Sequence, residues 1–209
     1  MRIGIIGAGN VGGTLGTRWA KGGHQVVFSS REPGSSKMRA LTEAAGSGSW
    51  AATVENAVAA SDILLLSTPW PATGEALAGL DFTGKVIIDA TNPLLGDLSG
   101  LAMGTTTSGG EQVAHWAKGA RVVKAFNTVG YNIMADAQFG ADRPVMFYCG
   151  DDLPAKRMAQ ELINELGFDA VDAGPLRQAR LLEPMALLWI SLALQFGQGR
   201  EMAFKLMKR

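Results

Sequence analysis

One cysteine and two histidines in 209 residues leave little from which to build a metal centre or a disulfide framework. His24, His115 and Cys149 lie far apart with no metal-ligand spacing. They read as structural residues: His24 at the start of a strand, His115 in a helix, Cys149 a small buried hydrophobe ending an apolar strand. So sparing a use of cysteine suits a reducing, cytoplasmic setting. No sign of charge predominates either. Nineteen basic residues balance nineteen acidic ones, so no overall field favours nucleic acid or an anionic membrane, and an anionic ligand must be gripped locally. Long hydrophobic runs are missing as well: Met185 to Phe196 is broken by Ser191 and Gln195 and falls short of the ~20 residues that span a bilayer. Met1 leads straight into a core strand, so no cleavable leader is expected. Finally, no nucleophile is paired with a base.

What is abundant is glycine, 27 residues of it, and the informative ones come first. Gly7-Ala8-Gly9-Asn10-Val11-Gly12 follows the apolar run Ile3, Ile5, Ile6 and precedes a helical segment, Thr14 to Lys21. Strand, glycine turn and helix in that order predict a dinucleotide site. Gly7 makes the turn, Gly9 admits a pyrophosphate to the backbone, and Gly12 lets the helix pack on the strand. Phosphates then meet the free N–H groups of a helix N-terminus, with Asn10 and Val11 beside them. A glycine turn used only for packing is the alternative. The second strand, His24 to Ser29, ends in Ser30-Arg31, with Lys37 further on. An acidic residue here would select NAD; hydroxyl and basic residues suit the 2′-phosphate of NADP. A solvated polar turn is the alternative.

Three later strands are expected, Asp62–Ser67, Lys85–Asp89 and Arg121–Phe126, and the continuous apolar run of the first suits a parallel strand covered on both faces. Each delivers polar or turn residues to one edge: Thr68-Pro69-Trp70, Thr91-Asn92-Pro93 and Asn127-Thr128. Trp70 either walls the cofactor or caps the core. Helices are expected over Met38–Ala45, Thr53–Ala60, Glu111–Lys118 and Pro154–Leu166, a loop over Gly46–Trp50, and strands over Pro144–Cys149 and Ala170–Ala173. The expected architecture is an open, mostly parallel, doubly wound Rossmann α/β sheet with a small helical C-terminal portion. Residues 1–150 form the dinucleotide-binding core and 151–209 an extension, in one compact unit. Arg177 to Lys208 reads as mostly helical, with Leu181, Met185, Leu188, Leu192 and Phe196 on one face and Leu182, Trp189, Ile190 and Leu194 on others. Such a helix must be buried on nearly all sides, in the core or against a second copy, and a homodimer is the economical expectation.

The turn Gly7 to Gly12, Ser30-Arg31, Thr68-Pro69-Trp70, Cys149-Gly150-Asp151-Asp152, and above all Asp172-Ala-Gly-Pro-Leu176 with Ala179-Arg-Leu-Leu-Glu183 resemble the NADPH-dependent reductases of coenzyme F420, a deazaflavin. Asp89–Pro93 and Val123–Thr128 are more similar to the oxidoreductase domains of STEAP ferric reductases, which pass electrons from NADPH to a flavin. The resemblance implies hydride transfer between NADPH and a flavin or deazaflavin, with F420, FMN or FAD as second substrate and a small-molecule redox acceptor as partner. Gly7, Gly9, Asn10, Val11 and Gly12 would then hold pyrophosphate and Ser30, Arg31 and Lys37 the 2′-phosphate. Thr68, Pro69, Trp70, Asn92 and Asn127 would frame the nicotinamide. No catalytic side chain is required, since the two ring systems carry the chemistry. Arg177 and Arg180 either meet an anionic acceptor tail or form surface ion pairs. A reductase of small carbonyls or imines is an alternative weakened by the want of a proton donor; a non-catalytic NADP sensor is another.

Overall fold

The computed structural model describes all residues, 1–209. Strand β1 (Arg2–Ile6) is buried at every position after Arg2 and pairs in parallel with β2 (Gln25–Ser29) on one side and β4 (Ile63–Leu66) on the other. The parallel array continues through β3 (Ser49–Ala52) beyond β2 and through β5 (Val86–Asp89) and β6 (Arg121–Lys124) beyond β4. Strand β7 (Val145–Gly150) pairs antiparallel with β6, and β8 (Asp169–Asp172) runs parallel to β7. The order β3-β2-β1-β4-β5-β6-β7-β8 is that of a doubly wound, mostly parallel Rossmann sheet, as expected. Its direction of winding reverses between β1 and β4, where open α/β sheets bind ligands at their C-terminal edge.

Alternate side chains of the strands enter two cores. Ile3, Ile5, Val26, Phe28, Ile63 and Leu65 pack with Trp19, Leu162 and Phe168 on one face, while Ile6, Leu64, Leu66 and Ile87 pack with Leu77, Phe82 and Val113 on the other. The helices are α1 (Asn10–Lys21), α2 (Ser36–Ala45), α3 (Val54–Ala60), α4 (Trp70–Leu77), α5 (Gly109–Trp116), α6 (Tyr131–Ala135), α7 (Leu153–Glu165) and α8 (Ala179–Leu194). Four begin at an oxygen-bearing cap, Ser35, Thr53, Ser108 or Asp152, whose side chain accepts the N–H three residues on.

Two local expectations are corrected and one helix is added. The stretch Gly46–Trp50 is not all loop, because Ser49 and Trp50 open β3, a short half-buried edge strand held by its register with Val26–Ser29. Thr68-Pro69-Trp70-Pro71 leads directly into α4, where Pro71 is tolerated in the first turn because the N–H it lacks would have no partner there. Lastly, the terminal helix stops at Leu194. Gly197 and Gly199 adopt φ of 70° and 72°, a region open to glycine, and the chain turns back. The returning segment is bonded from outside: Trp189 Nε1 donates to the Met202 carbonyl at 2.9 Å, Asn132 Nδ2 to Arg200 O at 2.8 Å, and Val145 N to Phe204 O at 2.9 Å. Helix α8 buries Leu182, Ala186, Trp189 and Ala193, but Leu181 and Leu188 remain 65% and 52% exposed. Within the single chain, burial on nearly all sides is therefore not met. No helix is long and apolar enough to cross a membrane.

Candidate functional site

The glycine turn after β1 shows why each of its residues lacks a side chain. Gly7 has φ +100°, and a Cβ there would stand 2.8 Å from the backbone of Ser67 and Thr68; one on Gly12 would run into the Gly7 carbonyl and Ser67 Oγ. These two glycines are demanded by the fold. Gly9 is different: its φ is −86° and nothing lies within 4 Å of a Cβ built on it. Packing gives no reason for its being glycine, whereas a ligand pressed to the backbone does. The N-terminus of α1, which Gly9 caps, has no side-chain cap and no acid in its first turn, so its N–H groups are left for an anion. The glycine-led N-terminus of α5 is closed by comparison. Gly109 N and Gly110 N each donate at 2.9 Å to the carboxylate of Glu183, which occupies the position an outside anion would take.

A cleft of about 800 Å³ opens beside α1. It is lined by Gly7, Ala8 and Gly9 from the turn, by Ser30, Arg31 and Lys37 beyond β2, and by Thr68 and Pro69 beyond β4. The structure thus brings eight residues from three strand ends to one cavity. Neither Arg31 nor Lys37 is engaged in any of the protein's ion pairs, and both are exposed, so two cations stand free on one rim. Ser30 Oγ accepts the Glu32 N–H at 3.1 Å, which leaves its own proton to donate. Glu32 itself is exposed. Open glycine, free helix N-terminus and paired cations together fit the pyrophosphate and 2′-phosphate of NADP. The α3 cap Thr53, Val54 and Glu55 of α3, and Ala72, Glu75 and Ala76 of α4 also line the cleft.

Asn10, Val11, Gly12, Trp70, Asn92 and Asn127 do not line this cavity. Asn10 and Val11 form the first turn of α1, where Val11 packs on the larger core. Trp70 stacks at 5.4 Å on Trp116 and packs against the smaller core. Asn92 and Asn127 sit at the ends of β5 and β6, two and three strands from β1, which is about 10 and 14 Å at the usual interstrand spacing. They are bound to each other: Asn127 Nδ2 donates to Asn92 Oδ1 and to Leu182 O, and Asn92 Nδ2 donates to Asn127 O, all at 3.0 Å. Asn127 Oδ1 has no partner. The residue before it, Phe126, is fully buried at φ +62°, a conformation costing on the order of 1–3 kcal/mol for a bulky residue.

Beneath this amide bridge lies a charged cluster that the sequence reading missed. The Lys124 ammonium is fully buried and donates to Asp89 Oδ2 at 2.9 Å and to Thr91 O at 2.6 Å, with Glu183 Oε1 at 2.8 Å. Asp89 Oδ1 accepts both the N–H and the hydroxyl of Thr91. Burial pushes the Lys124 pKa down, but Asp89 and Glu183 more than offset it and hold the ammonium above its ordinary range. The N-terminus of α5 offsets part of the second carboxylate's charge. A signal was present, since the apolar strands Val86–Asp89 and Arg121–Lys124 each end in a charge and the two are register partners. All three donors of Lys124 are taken, so it has no proton to offer a ligand. Burial pushes the nearby Cys149 thiol up to about 12. Arg180 forms a bidentate pair with Glu111 at 2.8 and 2.6 Å, while Arg177 is exposed.

Residues 2–93 match the family model described as NADP oxidoreductase, coenzyme F420-dependent. The chain is 28% identical to the F420-dependent NADP reductase of Methanocaldococcus jannaschii over 211 residues, 94% of each chain. It is also 28% identical over 188 residues to the metalloreductase STEAP3 of Rattus norvegicus, covering 89% of this chain but 36% of that one. Among solved structures, a candidate F420-dependent NADP reductase from Arthrobacter sp. FB24 superposes over 100% of both chains with a TM-score of 0.89 and 27% identity. The resemblance read from the motifs is therefore found in sequence and in fold.

Proposed function

We propose, from this likeness to NADP-dependent oxidoreductases, that the chain transfers a hydride between NADPH and a flavin or deazaflavin such as coenzyme F420. The observation that carries the reading is Gly9: a glycine without a structural reason, at an uncapped helix N-terminus, in a cleft also lined by Arg31 and Lys37. Gly7 to Gly12 would hold the pyrophosphate through backbone N–H groups, and Ser30, Arg31 and Lys37 the 2′-phosphate. Thr68 and Pro69 would bound the nicotinamide end, with the Asn92–Asn127 bridge and Trp70 further along the same sheet edge. When bound, the nicotinamide supplies the hydride, and a second ring supplies the acceptor. The protein's part is to orient the two and keep water out. That part needs no titrating side chain, consistent with a saturated Lys124 and a high-pKa Cys149 as the reactive groups nearby.

The exposed Leu181 and Leu188 on α8 support a homodimer through that helix, and a single buried thiol suits a cytoplasmic setting. The test is NADPH oxidation followed by absorbance, with F420, FMN and FAD in parallel. Turnover with the deazaflavin alone is the expected result. Turnover with FMN or FAD would move the acceptor to a flavin, and tight NADPH binding without oxidation by any of them would refute the enzymatic reading in favour of a nucleotide sensor.

A further inference from the structure

We infer that Lys124 is a positioning residue for the nicotinamide end of the site, acting through Asn92 and Asn127 and never touching a ligand. The inference rests on the NADP reading above. Three elements meet at its ammonium: β5 through Asp89 and the Thr91 carbonyl, β6 through the lysine's own backbone, and α8 through Glu183. The same three elements meet again at the Asn127 amide, which joins Asn92 beyond β5 to Leu182 of α8. The two layers share their supports. Each leg of the amide bridge lies within three residues of a group bound to the ammonium: Asn92 follows Thr91, Asn127 follows Lys124 by way of the strained Phe126, and Leu182 precedes Glu183.

The ammonium also links α8 to α5, because Glu183 accepts from Lys124 while bonding the Gly109 and Gly110 N–H groups. The Ala179–Glu183 motif thereby acquires a physical purpose, since it delivers one carboxylate into the core and one backbone carbonyl to Asn127. Removing the positive charge leaves Asp89 and Glu183 facing each other without a counter-ion, and the elements bearing Asn92, Asn127 and Leu182 must separate or admit water. The phosphate end is anchored elsewhere, on β1, β2 and α1, and has no bond to the cluster.

The test compares two ligands by calorimetry, NADPH and 2′,5′-ADP, the second of which lacks the nicotinamide. The proteins are the wild type, Lys124→Met and Glu183→Gln, the last keeping the side-chain shape should the first fail to fold; thermal melts report folding. The expected result is an unchanged affinity for 2′,5′-ADP and a loss of about tenfold in the advantage of NADPH over it, the worth of a well-made hydrogen bond or two. A melting temperature that falls while the ratio of affinities stays at its wild-type value would show a purely structural cluster and overturn the inference. So would a wild type that binds both ligands equally, since nothing would then be held at the nicotinamide end. Wild-type protein that bound neither ligand would overturn the NADP reading itself and this inference with it.

Discussion

Replacing Gly9 by alanine separates the demands of the fold from those of the ligand. The backbone at Gly9 is extended, with φ −86° and ψ −155°, and a Cβ meets no atom within 4 Å. Alanine therefore fits without strain. It loses a few tenths to about 1 kcal/mol as a helix cap and regains about 0.4–1 kcal/mol by restricting the unfolded chain. The two nearly cancel, and the melting temperature should move by no more than about 2–4 °C, the shift that 1 kcal/mol produces in a chain of this size. Ligand affinity has no such compensation. The methyl group stands over the N-terminus of α1, where it holds a pyrophosphate off one or two N–H groups. Each charge-assisted bond is worth about 1.5–3 kcal/mol, so the Kd for NADPH should rise by at least about tenfold. Gly12→Ala supplies the contrast, because its Cβ collides with the Gly7 carbonyl and the variant should be grossly destabilised before any ligand is added. Fluorescence titration with NADPH and thermal melts on the same preparations give both readouts. A Gly9→Ala protein that binds NADPH as tightly as the wild type would refute the placement of the pyrophosphate.

Other variants probe the remaining assignments. Arg31→Ala should weaken NADPH by about 1.5–3 kcal/mol while leaving NADH almost unaffected, and equal losses for the two would remove Arg31 from the 2′-phosphate site. Glu111, whose pKa is lowered chiefly by its hydrogen bond from Arg180, contributes stability that is present above its unfolded pKa of about 4.3 and is lost as pH falls through its folded value. The melting-temperature gap between wild type and Glu111→Gln should thus be open at neutral pH and close in acid, and a gap independent of pH would contradict the pairing. Cys149, with its pKa pushed up to about 12, should ignore a disulfide reagent near pH 8, where about one thiol in ten thousand is ionised, and should react once the protein is denatured. Leu188→Glu on the exposed face of α8 should convert a dimer to monomer in gel filtration; an unchanged elution volume would mean that this face is not the interface.

The local sequence determined the parallel sheet, the glycine turn and the basic rim, because each depends on neighbours in the chain. A strand covered on both faces must be apolar at successive positions, as Ile63–Leu66 and Val86–Ile88 are, and a turn at positive φ next to a helix start must have glycine, as at Gly7. Where the local pattern was weak the reading fell short. Ser49–Ala52 becomes a strand only because Val26–Ser29 offers it an edge, and α8 ends early because the tail finds partners in Asn132, Val145 and Trp189.

The pairing of polar and charged residues from distant strands was decided by tertiary structure alone. The glycine pattern suggests separate roles for Gly9 and Gly12, but only the atoms around them show that a Cβ on Gly12 would collide with the Gly7 carbonyl while one on Gly9 would meet nothing. Asn92 and Asn127 look alike as polar residues at strand ends, yet 35 residues of separation close into one amide bridge. Asp89 is as far from Lys124 along the chain and Glu183 further still, and a buried charge is tolerable only if its partners arrive with it. The sheet register brings Asp89, the packing of α8 brings Glu183, and neither distance is written in the sequence around Lys124.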